Sequence, residues 1–233
     1  MTHRTYPSRM NAANGSTPFI HPPKRAPTLL SFTPSQMDFD HPPADPLAAA
    51  RAWIDEALHL PTPNPNTVYV ASVDANAQPS LRAVLLRAFD AHGAVFFTNH
   101  QSRKGRELAA QRHAALLMHW DHLDRQLRIE GSVERTDDAL NDQYFRERPR
   151  ENQLGAWASE QSQPLADRAA FDARYSSFEQ RFAGGVVPRP PHWGGFRIRP
   201  ASIEFWQGHP ARLHDRIVYR RSGDQWTVSR LYP

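Results

Sequence analysis

Three groups of side chains in this chain have the types and spacing to act on an anion. The first is Thr98-Asn-His-Gln-Ser-Arg-Lys-Gly105, a polar turn between a strand-like and a helix-like segment. Ser102 is placed to cap the helix, whose free N–H groups attract negative charge, while Arg103 and Lys104 add two cations at the helix end that disfavours them. An anion beside them would remove that penalty; a solvated surface turn is the alternative. Lys104 stands out because the only lysines are Lys24 and Lys104, the other basic residues being arginine. With arginine so habitual, a single arginine is weaker evidence for bidentate anion recognition than elsewhere.

Tyr144 and Arg148 form the second group: four apart near a helix end, they can share a face and converge on an oxyanion, although favourable charge at a helix C-terminus also accounts for Arg148. In the third, Arg212, His214 and Arg216 alternate with Leu213 and Asp215. On a strand this puts the three basic groups on one face and turns Leu213 inward. They repel one another unless an electron-rich ligand fills the space before them or carboxylates pair with them.

Weaker signals accompany these. Arg82 and Arg87 flank Ala83-Val84-Leu85-Leu86 on a strand expected over Leu81 to Phe89, and at a spacing of five they point to opposite faces. Gln126, Arg128 and Glu130 share one face of an alternating strand, suited to a cofactor or to the wet side of a sheet. Ala156-Trp-Ala-Ser-Glu-Gln-Ser162 mixes a large aromatic with small and amide residues, as a flat ring with a polar edge requires, and as any packed turn also does.

The elements that must position these groups follow from pattern. Residues 1–44 are rich in proline and small polar residues and read as a flexible arm. From Asp45 the apolar residues Leu47, Ala50, Trp53, Ile54 and Leu58 define a helix face. Strands are expected at Thr67 to Val73, Leu81 to Phe89, Ala94 to Thr98, Ala114 to Trp120 and Gln126 to Glu134. Further strands are expected near Gly195 to Ile198, Ser202 to Trp206, Arg212 to Arg220 and Gln225 to Leu231. Helices are expected from Ser102 to about Gln111, Asp137 to Glu147 and Ala166 to Phe182, with a polar stretch after Pro149. The quick succession of early strands favours an antiparallel meander. A mainly β fold with helices, a small barrel in residues 45–233, is the best architecture.

Composition sets the bounds. With 233 residues the chain is long enough for one sizeable core. The absence of cysteine excludes disulfides, thiolate metal ligands and a cysteine nucleophile, and no metal site is expected. No apolar run suits a signal peptide or a membrane span, so a soluble cytoplasmic protein is the expectation. The net charge of +4 is compatible with a phosphate-bearing ligand, an acidic partner or nucleic acid.

Taken together and in order, Arg82-Ala-Val-Leu-Leu-Arg87, Phe97-Thr-Asn99, Ser102-Arg-Lys-Gly105, Arg125-Gln126, Tyr144-Phe-Arg-Glu-Arg-Pro149, Ala156 to Ser162, Trp193-Gly-Gly195, Glu204 to Gly208 and Arg212 to Arg216 resemble the pyridoxine/pyridoxamine 5′-phosphate oxidase family. The resemblance runs from Asp45 to Pro233. It implies an FMN-binding split β-barrel, a homodimer with FMN at the subunit interface, and oxidation of a phosphorylated pyridine by O2. By the same resemblance, FMN contacts fall to Arg82, Ala83, Val84, Leu85, Leu86, Arg87, Phe97, Thr98, Arg103, Lys104, Gln126, Gln161, Ser162, Trp206 and Arg216. Substrate contacts fall to Arg87, Tyr144, Arg148, Asn152, Arg212 and His214, the last two lying over the reacting ring as the catalytic pair.

Three departures stand out: Arg87 replaces a usual lysine, Asn152 a common serine, and the family's N-terminal Arg-x-x-Tyr lid motif has no counterpart among Phe32 to Asp45. A related FMN oxidase acting on another aromatic metabolite, such as a phenazine precursor, is the nearer rival. A nucleic-acid-binding barrel is a rival of another class. The compact, separate basic clusters suit a small phosphate better than a nucleic-acid groove.

Overall fold

A computed structural model describes residues 19–21 and 37–233. Asp45 caps helix α1 (Pro46–Ala57), its carboxylate accepting from the amides of Leu47 and Ala48. Strands β1 (Thr67–Val73), β2 (Pro79–Leu85), β3 (Ala88–Asp90) and β4 (Gly93–Asn99) follow, then α2 (Arg103–Ala110), β5 (His113–Trp120) and β6 (Arg125–Arg135). Next come α3 (Asp138–Glu147), α4 (Arg150–Ala158), α5 (Arg168–Arg181), β7 (Trp193–Gln207), β8 (Asp215–Ser222) and β9 (Gln225–Arg230).

The strands form one antiparallel sheet in the order β2-β1-β5-β6-β7-β4-β3, with β8 added along β7 and β9 along β8. The long strand β7 makes this branching possible. Its first half pairs with β4, its second half with β8, and β6 runs beside both. The sheet therefore curls into an open half-barrel, mainly β with helices at its margins. Alternation along β5 and β6 sends Leu116, Met118, Leu127 and Ile129 inward, where Trp53 of α1 meets Phe205 edge-on at 5.0 Å. Among the described residues no helix is long and apolar enough to cross a membrane.

Four expectations are corrected. The strand expected over Leu81 to Phe89 breaks at Leu86 and Arg87, where the Leu86 amide turns to Asn66 O and the Arg87 amide to Val95 O. The polar stretch after Pro149 is helix α4; proline caps the new helix instead of only ending the old one. The strand expected from Arg212 begins at Asp215, because Ala211 and Arg212 take left-handed backbone angles that no strand accommodates.

The fourth correction concerns the 1–44 arm, whose described parts are seated on the body. Ile20 is 2% exposed within the main core, and Tyr219 Oη donates to Pro43 O at 2.7 Å. Residues Phe32 to Gln36, part of the stretch lacking a lid motif, lie outside the described residues.

Where β6 shifts register against β7, Gly131 is required by close approach: a Cβ there would lie 1.8 Å from Arg199 O. Gly131→Ala should cost about 1–3 kcal/mol of overpacking. That corresponds to roughly 2–4 °C of Tm per kcal/mol for a chain of this size. An unchanged calorimetric Tm would contradict the assigned role of Gly131.

Candidate functional site

A cavity of about 810 Å³ opens between β2, the β4–α2 turn, the end of α3, and α4 with the segment that follows it. Of the residues singled out in the sequence, Arg82, Ala83, Val84, Leu85, Arg87, Phe97, Thr98, Arg103, Lys104, Tyr144, Arg148, Asn152, Gln161 and Ser162 line it. Arg82 and Arg87 both reach it, contrary to the opposite faces expected of one continuous strand, because the break between β2 and β3 resets the alternation. Leu86 instead points into the core.

One end of the cavity is organised by a residue absent from the sequence reading, Glu107. Its Oε2 accepts from Ser72 Oγ at 2.5 Å, Ser80 Oγ at 2.6 Å and Arg82 Nη2 at 3.1 Å, and its Oε1 accepts from Arg103 Nε at 2.8 Å. Burial pushes this carboxyl up, but the hydrogen bonds from Ser72, Ser80 and Arg103, with the charge of Arg82, outweigh it and hold the pKa at about 2. The four-residue spacing of Arg103 and Glu107 was the available local signal.

Arg103 is thus paired within its own helix. Lys104 has neutral hydrogen-bond partners: its Nζ donates to Thr98 Oγ1 at 2.9 Å, Gln161 Oε1 at 3.0 Å and Ser102 Oγ at 3.4 Å. Burial, then the charge of Arg82, brings the ammonium down to about 8, with Glu107 opposing. Ser102 caps α2 as expected, accepting from the Gly105 amide at 3.2 Å.

The other end is aromatic and cationic. Phe97 stacks with Tyr144 at 4.3 Å and with Trp193 at 5.3 Å, and those two rings lie near-parallel at 6.1 Å, giving the cavity a flat wall. The Arg148 guanidinium lies 4.8 Å from the centre of the Trp193 ring, and its buried Nη1 has no hydrogen-bond partner among the described residues. Burial pushes Arg148 down and the Tyr144 phenol up. Arg87 lies 5.6 Å from the Tyr144 ring centre. A partly desolvated ammonium at one end, an unmet guanidinium donor at the other and a flat wall between them fit a planar cofactor carrying a phosphate beside a second anionic ligand.

Gln126, Trp206, Arg212, His214 and Arg216 do not line this cavity. Gln126, Trp206 and Arg216 lie opposite one another across β6, β7 and β8. Arg216 is held by Glu204 Oε1 at 2.7 and 3.0 Å and by Tyr232 O at 3.1 Å. Arg212 and His214 sit in the turn before β8, and Leu213, expected inside, is 70% exposed.

Residues 54–182 match the pyridoxamine 5′-phosphate oxidase family. The chain belongs to that family. Residues 193–233 match the pyridoxine 5′-phosphate oxidase C-terminal dimerisation region, which carries Trp206, Arg212, His214 and Arg216. The chain is 52% identical over 190 residues to a pyridoxine/pyridoxamine 5′-phosphate oxidase of Cupriavidus metallidurans, covering 81% of this chain and 89% of that one. It is 53% identical over 191 residues to one of Bordetella avium, covering 82% and 90%. Among solved structures it resembles PhzG from Burkholderia lata, in complex with tetrahydrophenazine-1-carboxylic acid, at TM-score 0.79 and 31% identity over 84% of this chain and 96% of that one.

The Glu107 pKa makes a signed prediction. Because the folded value of about 2 lies below the ordinary 4.5, its stabilisation is present above pH 4.5 and is lost as pH falls through 2. Glu107→Gln should therefore be less stable than the parent at pH 7 by about 3 kcal/mol. The gap should narrow steadily as melts are repeated at lower pH. A gap that stays constant from pH 7 to 3 would show that the charge is not what Glu107 contributes.

Proposed function

We propose that this chain oxidises pyridoxine and pyridoxamine 5′-phosphates to pyridoxal 5′-phosphate, with FMN as cofactor and O2 as final acceptor, giving hydrogen peroxide and, from the amine, ammonia. The observation that carries this reading is the pair of separate cationic groups lining one cavity. A flavin phosphate needs one of them; Arg87, Tyr144 and Arg148 form a second, which suits a substrate with its own phosphate. The identity of about half the residues to oxidases of that name supports the same substrate class.

FMN, when bound, would supply the two-electron acceptor for hydride from the substrate C4′ carbon, with O2 as the final acceptor. The chain's own residues bind and orient. Lys104, with Arg103 and Arg82 held by Glu107, takes the cofactor phosphate, and Thr98, Gln161 and Ser162 offer polar contacts around it. Ala83, Val84, Leu85 and Phe97 form walls against the ring. Arg87, Tyr144, Arg148 and Asn152 take the substrate phosphate, so remote binding energy fixes the position of the reacting carbon. Gln126 on β6, with Trp206, Arg212, His214 and Arg216 of the C-terminal region, comes from a second copy of the chain, which completes the cavity in a homodimer. The match of residues 193–233 to a dimerisation region supports this division.

A second reading, oxidation of a reduced phenazine carboxylic acid, is favoured by the likeness to the PhzG complex, whose ligand is a ring system with one carboxylic acid. Anaerobic mixing separates the two. Flavin in the purified protein should bleach with pyridoxamine 5′-phosphate at concentrations where unphosphorylated pyridoxamine and a tetrahydrophenazine carboxylate leave it oxidised. Arg148→Met should raise the KM for the phosphate ester about tenfold or more, the loss expected for a charge-assisted hydrogen bond, with FMN affinity little changed. Equal reduction with and without the phosphate would reject the vitamin B6 assignment.

Lys104 gives a pH signature for the cofactor site. Bound phosphate favours the protonated amine, so its pKa in the complex lies above the free value of about 8. FMN affinity should accordingly be level below pH 8 and fall by up to about tenfold per pH unit above it. Lys104→Arg, which keeps a charge that does not titrate there, should remove this fall. Identical slopes in the two proteins from pH 7 to 10, read by quenching of flavin fluorescence, would place the phosphate elsewhere.

A further inference from the structure

The turn between β7 and β8 contains the one place among the described residues where two consecutive non-glycine residues, Ala211 at φ 58° and Arg212 at φ 62°, take the left-handed conformation. Such a backbone is strained for residues with a Cβ and persists only where its surroundings enforce it. The enforcing contacts converge on His209. Its ring Nε2 lies 2.8 Å from Asp215 Oδ2, closing the turn on the first residue of β8. Asp215 is anchored through its other oxygen by Arg230. The His209 backbone N–H, in turn, donates to Nδ1 of His214 at 3.2 Å. The His214 ring packs on Trp206 with centroids 4.6 Å apart.

A backbone N–H is only a donor, so His214 Nδ1 is an acceptor here and the neutral ring carries its proton on Nε2. The geometry points to His209 as a positioning residue: through its amide, and through the ring that pins the turn to Asp215, it holds His214 as the Nε2–H tautomer. His214 then offers the substrate a hydrogen-bond donor, suited to an acceptor oxygen on the pyridine ring, rather than a base. This rests on the placement of His214 at the substrate proposed above. His209 itself touches neither substrate nor cofactor in this scheme.

The test uses the full-length, FMN-loaded protein labelled with 15N-histidine. Long-range proton–nitrogen correlations read each ring's tautomer, and His214→Asn identifies the resonances of His214. Parent and His209→Gln, whose side-chain amide can still donate to Asp215, should both show an unprotonated Nδ1 and a protonated Nε2. His209→Ala should shift His214 toward mixed tautomers. It should also slow anaerobic flavin reduction at saturating pyridoxamine 5′-phosphate by about tenfold, with KM and FMN retention changed less than about twofold.

A protonated Nδ1 on His214 in the parent would overturn the inference, and so would parent-like tautomer and rate in His209→Ala. His214→Asn separates the two levels of the argument. If it reduces flavin at the parent rate, the placement of His214 at the substrate fails. Slow reduction by His214→Asn alongside a parent-like His209→Ala defeats the positioning role alone.

Discussion

The buried carboxylate of Glu107 is the constraint on which the electrostatics of the cavity depend. A carboxylate taken out of water costs several kcal/mol unless it is paired and hydrogen-bonded. Glu107 receives hydrogen bonds from Ser72 on β1, Ser80 and Arg82 on β2 and Arg103 on its own helix. Meeting that demand docks α2 against the β1–β2 hairpin. It also commits two of the three nearby cations to an internal partner. Lys104, one residue along and turned toward Thr98 and Gln161, is left buried among neutral oxygens. At this end of the cavity the charge available to a ligand is therefore concentrated in one ammonium, at a helix N-terminus that also favours an anion.

The same device recurs farther along the sheet. Glu204 on β7, also buried, accepts from Arg128 on β6 and from Arg216 on β8. It fixes two arginines across three neighbouring strands, beside the row formed by Gln126, Trp206 and Arg216. Strand β7 joins the two arrangements. Trp193 at its start walls the cavity, while Glu204 and Trp206 near its end belong to the group outside it. A single rigid strand thus fixes where one set of functional side chains stands relative to the other, which loops between separate elements would not do.

What could be read from the sequence was whatever local geometry determines. Ser102 with Gly105, and Tyr144 with Arg148, are three and four apart across the start of α2 and the end of α3, and the structure keeps those relations because the adjoining helix imposes them. The alternation of β5 and β6 was legible for the same reason. The shared destination of Arg82 and Arg87 was not. It depends on the Leu86 amide finding Asn66 and the Arg87 amide finding Val95, bonds that only the folded chain brings together. The turn at Ala211 and Arg212 reads as strand because nothing in those two residue types announces a left-handed backbone. The role of Glu107 is not legible because its partners on β1 and β2 are remote in sequence, Arg103 four residues before it being the one local signal.

The break between β2 and β3 also explains why a segment from the proline-rich beginning of the chain belongs to the body. On a continuous strand the backbone of Arg87 would be spent on its neighbours in the sheet. Here its amide goes to Val95 and its carbonyl accepts from the Ile20 amide at 2.6 Å. That bond seats Ile20 in the core and brings Phe19 against Tyr144 at 4.8 Å and Phe97 at 6.0 Å. His21, next along, lines the cavity 3.5 Å from Glu147. No periodic apolar face was needed for this attachment, only one isoleucine and one amide opposite a carbonyl outside the ladder. The interruption that turns the Arg87 side chain into the cavity therefore also makes the seat for the segment that buttresses Tyr144, so the two features stand or fall together.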